Sequence, residues 1–136
     1  MAASAVRLRL RRELAAHIAR LGYSSQHLAP PTALKPEIAR VSPVRRRIAY
    51  GETVLRGDLR RPRCHERLRF FSQRRTRQGS SILFFIGVAA DDRQALEELL
   101  SELEIRDATR GGHVHIVPIE VRAAKARRPA ASRARC

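Results

Sequence analysis

The sequence predicts one α/β domain, a mixed central sheet flanked by helices. Three observations lead there. The chain has 136 residues, enough for one modest core and too few for two. The apolar run SILFFIGVAA, Ser81 to Ala90, reads as a strand covered on both faces. The order of elements, helix, short strand, hairpin, helix, buried strand, helix and edge strand, belongs to an α/β sandwich. Hydrophobic residues make up 43% of the chain but aromatic ones only 4%, so Leu, Ile, Val and Ala must build the core.

Taken in order, Leu10, Leu14, Ile18 and Leu21 recur at helical spacing and Gly22 follows as a C-terminal cap, which predicts a helix over Ala5 to Leu21. Glu13 borders its apolar stripe, and His17 lies within it as a core or interface residue. Tyr23 to Leu28 reads as a short strand, after which Pro30 and Pro31 break the chain. Glu37 to Ser42 and Arg47 to Thr53 alternate as two strands, with Ser42-Pro43-Val44-Arg45-Arg46 as the hairpin turn. Leu55 to Arg63 is a basic loop holding Gly57-Asp58 and Pro62. A second helix is expected from Cys64 to Arg77, with Cys64, Leu68 and Phe71 on its buried face. Asp91 is placed to cap a third helix, with Gln94 at the capping-box position and Leu96, Leu99, Leu100 and Leu103 as its packing stripe. Gly111-Gly112 turns into a last strand, His113 to Val121, which Pro118 assigns to a sheet edge. The domain thus covers residues 1–121, and residues 122–136, rich in Arg, Ala and Pro without periodicity, read as a disordered basic tail.

Charge narrows the function. There are 28 Lys+Arg against 13 Asp+Glu, a formal net charge of +15. Such an excess favours a polyanionic partner, nucleic acid first and an anionic membrane surface second. Coding bias accounts for Arg in place of Lys, but not for a two-to-one excess of bases over acids. No stretch approaches the roughly 20 apolar residues that span a bilayer. Cys64 and Cys136, the only cysteines, make neither a disulfide framework nor a zinc module. A reducing compartment follows, cytoplasmic or nucleoid-associated; the Arg- and Ala-rich N-terminus keeps organellar import open.

The chemistry-bearing spacing is Pro36-Glu37 at one strand and Glu52-Thr53-Val54 on the next. Two carboxylates near the ends of adjacent strands can share a hard divalent cation. Such a cation polarises a phosphoryl oxygen and activates a bound water. In these residues and in the order of its elements the chain resembles the PD-(D/E)XK, or restriction-endonuclease-like, nuclease superfamily. The resemblance spans roughly Ala5 to Val121, although few residues carry the motif. It implies that Glu37 and Glu52 are catalytic acids and that they hold Mg2+ or Mn2+ with the Thr53 carbonyl. Glu13 corresponds to an additional acid of some branches, and Asp58 is a weaker ligand candidate. Two positions depart from the pattern: Glu37 replaces an aspartate, and Val54 stands where the water-positioning lysine is expected. Arg47, Arg56, Arg69 and Gln73 are the candidates to replace that lysine, but arginine stays protonated and is a poor base.

The nucleic-acid contacts expected around the acids are Arg45, Arg46 and Arg47 at the hairpin, then Arg56, Arg60, Arg61 and Arg63, then Arg67, Arg69, Arg74, Arg75 and Arg77 on the second helix. The implied function is nucleic-acid binding, DNA above RNA, with metal-dependent phosphodiester hydrolysis impaired or lost; a homodimer is compatible with it. The alternative is a non-catalytic RNA/DNA-binding or ribosome-associated basic protein, in which the two acids are incidental. A third class is a subunit bound to an acidic protein. His113 and His115 share a spacing that two metal ligands could use, with a surface or half-buried histidine pair the preferred reading. Cys64-His65 is better read as core packing than as a nucleophile and base, because adjacent helical residues diverge.

Overall fold

The computed structural model describes residues 2–30, 32–76, 79 and 82–121. The expected basic tail and Arg77 lie outside these residues. The elements are α1 (Ala2–Arg20), β1 (Ile38–Ser42), β2 (Arg47–Val54), α2 (Pro62–Ser72), β3 (Leu83–Ala89), α3 (Arg93–Glu102) and β4 (Val114–Ile119), with a 3-10 turn at Arg56–Arg60 between β2 and α2. The strands form one four-stranded mixed sheet in the order β1-β2-β3-β4. β1 runs antiparallel to β2, while β2, β3 and β4 are mutually parallel.

The two parallel crossovers step across the sheet in the same direction. Right-handed connections therefore place α2 and α3 on the same face. There Leu68, Phe71, Leu96 and Leu100 pack with Tyr50, Val54, Phe84, Ile86 and Val88. α1 covers the opposite face, packing Leu10, Leu14 and Ile18 against Ile38, Ala49, Phe85, Val117 and Ile119. Alternation along β3 supplies both layers, which is why its sequence is apolar throughout. Two glycines let α1 come down onto the sheet. A Cβ on Gly51 would lie 3.2 Å from Leu14 Cδ2 and 3.1 Å from Ile38 Cβ, and one on Gly87 would lie 3.3 Å from Leu14.

Several local expectations are corrected. Tyr23 to Leu28 is not a strand. It touches the outer edge of β1 through Ser24 N–H to Val41 O (2.8 Å) and Leu28 N–H to Ala39 O (2.7 Å), contacts too few to make a ladder. Glu37 precedes β1 instead of opening it. α2 begins at Pro62, whose missing N–H costs nothing in a first turn. It ends at Ser72, five residues before Arg77, where Arg74 folds back over the Phe70 ring at 4.0 Å from its centroid. α3 follows a 3-10 turn at Ala90–Asp92, so its N-cap is Asp92 and not Asp91, without a side-chain cap bond. Gln94 is turned to Glu98 (3.3 Å) rather than to a capping box. Pro118 does lie in an edge strand, β4.

Candidate functional site

The site is built by the register of β1 on β2. Ile38 pairs with Gly51, which sets Glu37 beside Glu52 where β1 begins and β2 ends. Pro36 is buried and Arg11, from α1, donates to the Glu37 carbonyl at 3.2 Å, so the backbone at this point is held from both sides. The two acids then clasp each other's strands. The Glu37 N–H donates to Glu52 Oε2 at 2.8 Å. The Glu37 carboxylate in turn accepts from the Thr53 N–H and from the Thr53 hydroxyl at 2.8 and 2.9 Å. Strand alternation sends Glu52 to the α2 side with Tyr50 and Val54, and Thr53 to the α1 side with Gly51.

Each side carries its own arginine. On the α2 side, Arg67 Nε donates to Glu52 Oε1 at 2.9 Å and Nη2 to Oε2 at 2.8 Å, a forked pair. Nη2 also donates to the Lys35 carbonyl at 2.7 Å, and the guanidinium carbon lies 5.2 Å from the centre of the Phe71 ring. Glu52 is only 5% exposed. Burial pushes its carboxyl above the usual range, with the Arg67 bonds and charge opposing. The same bonds raise the pKa of Arg67. On the α1 side, Arg7 Nη1 donates to the Thr53 carbonyl and to Thr53 Oγ1, both at 3.1 Å, while Nη2 pairs with Asp58. Asp58 also accepts from the Leu55 N–H at 2.9 Å, which fixes the chain as it leaves β2. A cleft of about 250 Å³ opens here, lined by Arg7, Glu37, Glu52, Asp58, Arg61 and Arg63 among others.

This arrangement does not fit the divalent cation that the family resemblance implies. Both Glu52 oxygens are taken by Arg67 and the Glu37 N–H, the Glu37 carboxylate is taken by Thr53, and the Thr53 carbonyl is taken by Arg7. Among the described residues no three His, Cys, Asp or Glu side chains converge as a metal site. Glu13 is exposed on α1, about 9 Å along the helix axis from Arg7 at 1.5 Å per residue. Asp58 is an anchor for Arg7 and for the Leu55 N–H. Val54 is 2% exposed and packed in the core, so it takes no part.

None of the candidate replacements for the missing lysine reaches Glu52. Arg56 is paired with Asp92 at 3.0 Å. Arg47 opens β2 at its far end. Arg69 and Gln73 line a separate cavity beside His113.

The basic residues expected to surround the acids are divided between the two ends of the sheet. Arg60, Arg61 and Arg63 are exposed at the acid end, and Arg67 is there but consumed by Glu52. Arg45, Arg46 and Arg47 are exposed at the hairpin, roughly 16 Å away along the five residues of β1. Arg69, Arg74 and Arg75 are carried by the end of α2 and the residues after it, on that same hairpin side. Arg7, the residue that completes the α1 side of the site, carried no motif that would single it out from the other arginines.

The histidines do not form a pair of ligands. His113 Nε2 lies 2.6 Å from the Ser72 carbonyl at the end of α2, whereas His115 stacks on Phe85 with ring centres 4.9 Å apart, and His17 meets Phe85 edge-on from α1. Burial lowers the pKa of His115, with the neighbouring His113 adding to it. Cys64 packs at the margin of the core, and burial, with Asp58 and Glu52 nearby, pushes its thiol up to about 11. A thiol so raised is protonated at neutral pH and is no nucleophile. No protein-family model matches the chain, and neither a curated protein nor a solved structure matches it.

Proposed function

We propose that this protein is a nucleic-acid-binding domain of the restriction-endonuclease-like type that holds phosphate backbone without cutting it. The observation that carries the reading is the contrast between its arginines at one end of the sheet. Arg67 and Arg7 are spent on the acidic strand end, while Arg61 and Arg63 stand exposed in the lining of the cleft and Arg60 is exposed next to them in the chain. In a chain of net charge +15 such a rim attracts phosphates by counterion release, with little sequence preference. The four-stranded mixed sheet, with the acids on neighbouring strand ends, supports the family assignment. The buried Val54 and the filled hydrogen bonds of Glu37 and Glu52 support loss of hydrolysis. DNA is the favoured partner through the family resemblance.

The test is cleavage of labelled single-stranded, duplex and branched DNA in magnesium or manganese, by wild type and by Glu52→Ala. The expected result is no cutting by either protein and salt-sensitive binding by both. Metal-dependent cutting that disappears in Glu52→Ala would refute the reading.

A further inference from the structure

We infer that the guanidinium of Arg67, with that of Arg7 on the other face of the sheet, takes the place of a divalent cation at the end of β2, so that the protein closes its own acidic site. The inference rests on the endonuclease-like reading only for where a cation would otherwise lie. A carboxylate as deeply buried as Glu52 needs a positive partner. Arg67 supplies it with a fork that meets both oxygens.

Arg67 is itself fixed in place. Its Nη2 is also bonded to the Lys35 carbonyl and its guanidinium is laid over Phe71, so the fork is held from two further sides. From the other face of the sheet, Arg7 covers the Thr53 carbonyl, the backbone oxygen that the resemblance counts as a ligand. Asp58 holds Arg7 there through the second arm of its guanidinium. A cation could enter only by displacing Arg67 from Glu52, the Thr53 N–H and hydroxyl from Glu37, and Arg7 from the Thr53 carbonyl. The device is an internal ion pair that fixes the β1–β2 end and excludes metal. It assigns Arg67 a positioning role instead of the phosphate contact expected from its neighbours in α2.

The experiment is the melting temperature of the full chain as wild type, Arg67→Ala, Arg67→Met and the double variant Arg67→Met/Glu52→Gln, each in EDTA and in millimolar manganese. Alanine leaves space where the guanidinium stood, while methionine fills it without charge. Wild type should melt at the same temperature in both buffers. Each single variant should melt roughly 10 °C or more lower in EDTA, because Glu52 is left buried and unpaired. The double variant should regain more than half of that loss, since it no longer buries a charge. Manganese should raise the melting temperature of Arg67→Ala and leave Arg67→Met unmoved.

Manganese stabilising the wild type, no recovery in the double variant, or no manganese effect on Arg67→Ala would each overturn the inference. If a single variant does not fold in EDTA, the wild-type and double-variant measurements still decide it. These readouts are of stability alone, so a protein that fails to bind DNA leaves this test intact.

Discussion

Leu14→Ala is expected to cost about 2–5 kcal/mol, a large share of the roughly 5–15 kcal/mol that holds a domain of this size together. Leu14 is 0% exposed and sits over both Gly51 and Gly87, where an added Cβ would come within 3.2–3.3 Å of its side chain. The surroundings are glycine backbone and the side chains of Ile38 and Ile119, and backbone cannot move in to fill the space. The cavity term therefore adds to the lost burial rather than relaxing away. The damage reaches the site as well, because Arg7 and Arg11 lie on the same helix and hold Thr53, Asp58 and the Glu37 carbonyl. Urea unfolding followed by far-UV circular dichroism measures the loss. A cost below about 1 kcal/mol would mean that α1 is not clamped on the sheet as described.

Reversing Arg60, Arg61 and Arg63 together to glutamate is expected to weaken duplex DNA binding on the order of a hundredfold or more at low salt, and to reduce the salt slope by about 3. The three side chains are exposed at the acid end. Among the described ion pairs only Arg61 reaches an acid, Asp58, at 3.8 Å, and an exposed pair at that distance contributes little. Their removal should therefore leave stability nearly unchanged while removing the phosphate contacts. The matching control is Arg45/Arg46/Arg47→Glu at the hairpin, the far end of β1 and β2. Fluorescence anisotropy with a labelled duplex at several salt concentrations separates the two. A larger loss in the hairpin variant would place the interface at the other end of the sheet.

The sheet was legible because its signals are local. Leu10, Leu14 and Ile18 repeat every four residues, and α1 follows them. Leu83 to Ala89 is apolar at every position because both faces of β3 are covered. The hairpin turn between Ser42 and Arg47 fixes a register, and that register is what sets Glu37 beside Glu52. The ends of elements were less legible. Beyond Ser72 the sequence is arginine-rich with no apolar stripe, so nothing local marks where α2 stops; packing of Arg74 on Phe70 accompanies the stop. Asp91 and Asp92 are adjacent and chemically equal, and only the 3-10 turn at Ala90–Asp92 makes the second of them the cap.

The partners of the acids were the least legible of all. Of the many basic residues, Arg67, which meets Glu52, and Arg7, which meets Thr53, come from different helices, one on each face of the sheet. The family resemblance pointed instead to Glu13 as the contribution of α1, but the α1 stripe turns Leu10 and Leu14 inward and leaves Glu13 exposed. Which guanidinium reaches which carboxylate depends on the distance between layers, and no motif encodes it.

The most direct measurement is the salt dependence of duplex DNA affinity for wild type and Glu52→Gln, in EDTA and in magnesium at matched ionic strength. An arginine rim acting on phosphate, beside an acidic site already filled by Arg67, predicts a steep fall of affinity with salt, equal curves in EDTA and magnesium, and a Glu52→Gln curve that overlays the wild type. Tighter binding in magnesium than in its ionic-strength control, lost in Glu52→Gln, would contradict the account and return Glu52 to the role of a metal ligand.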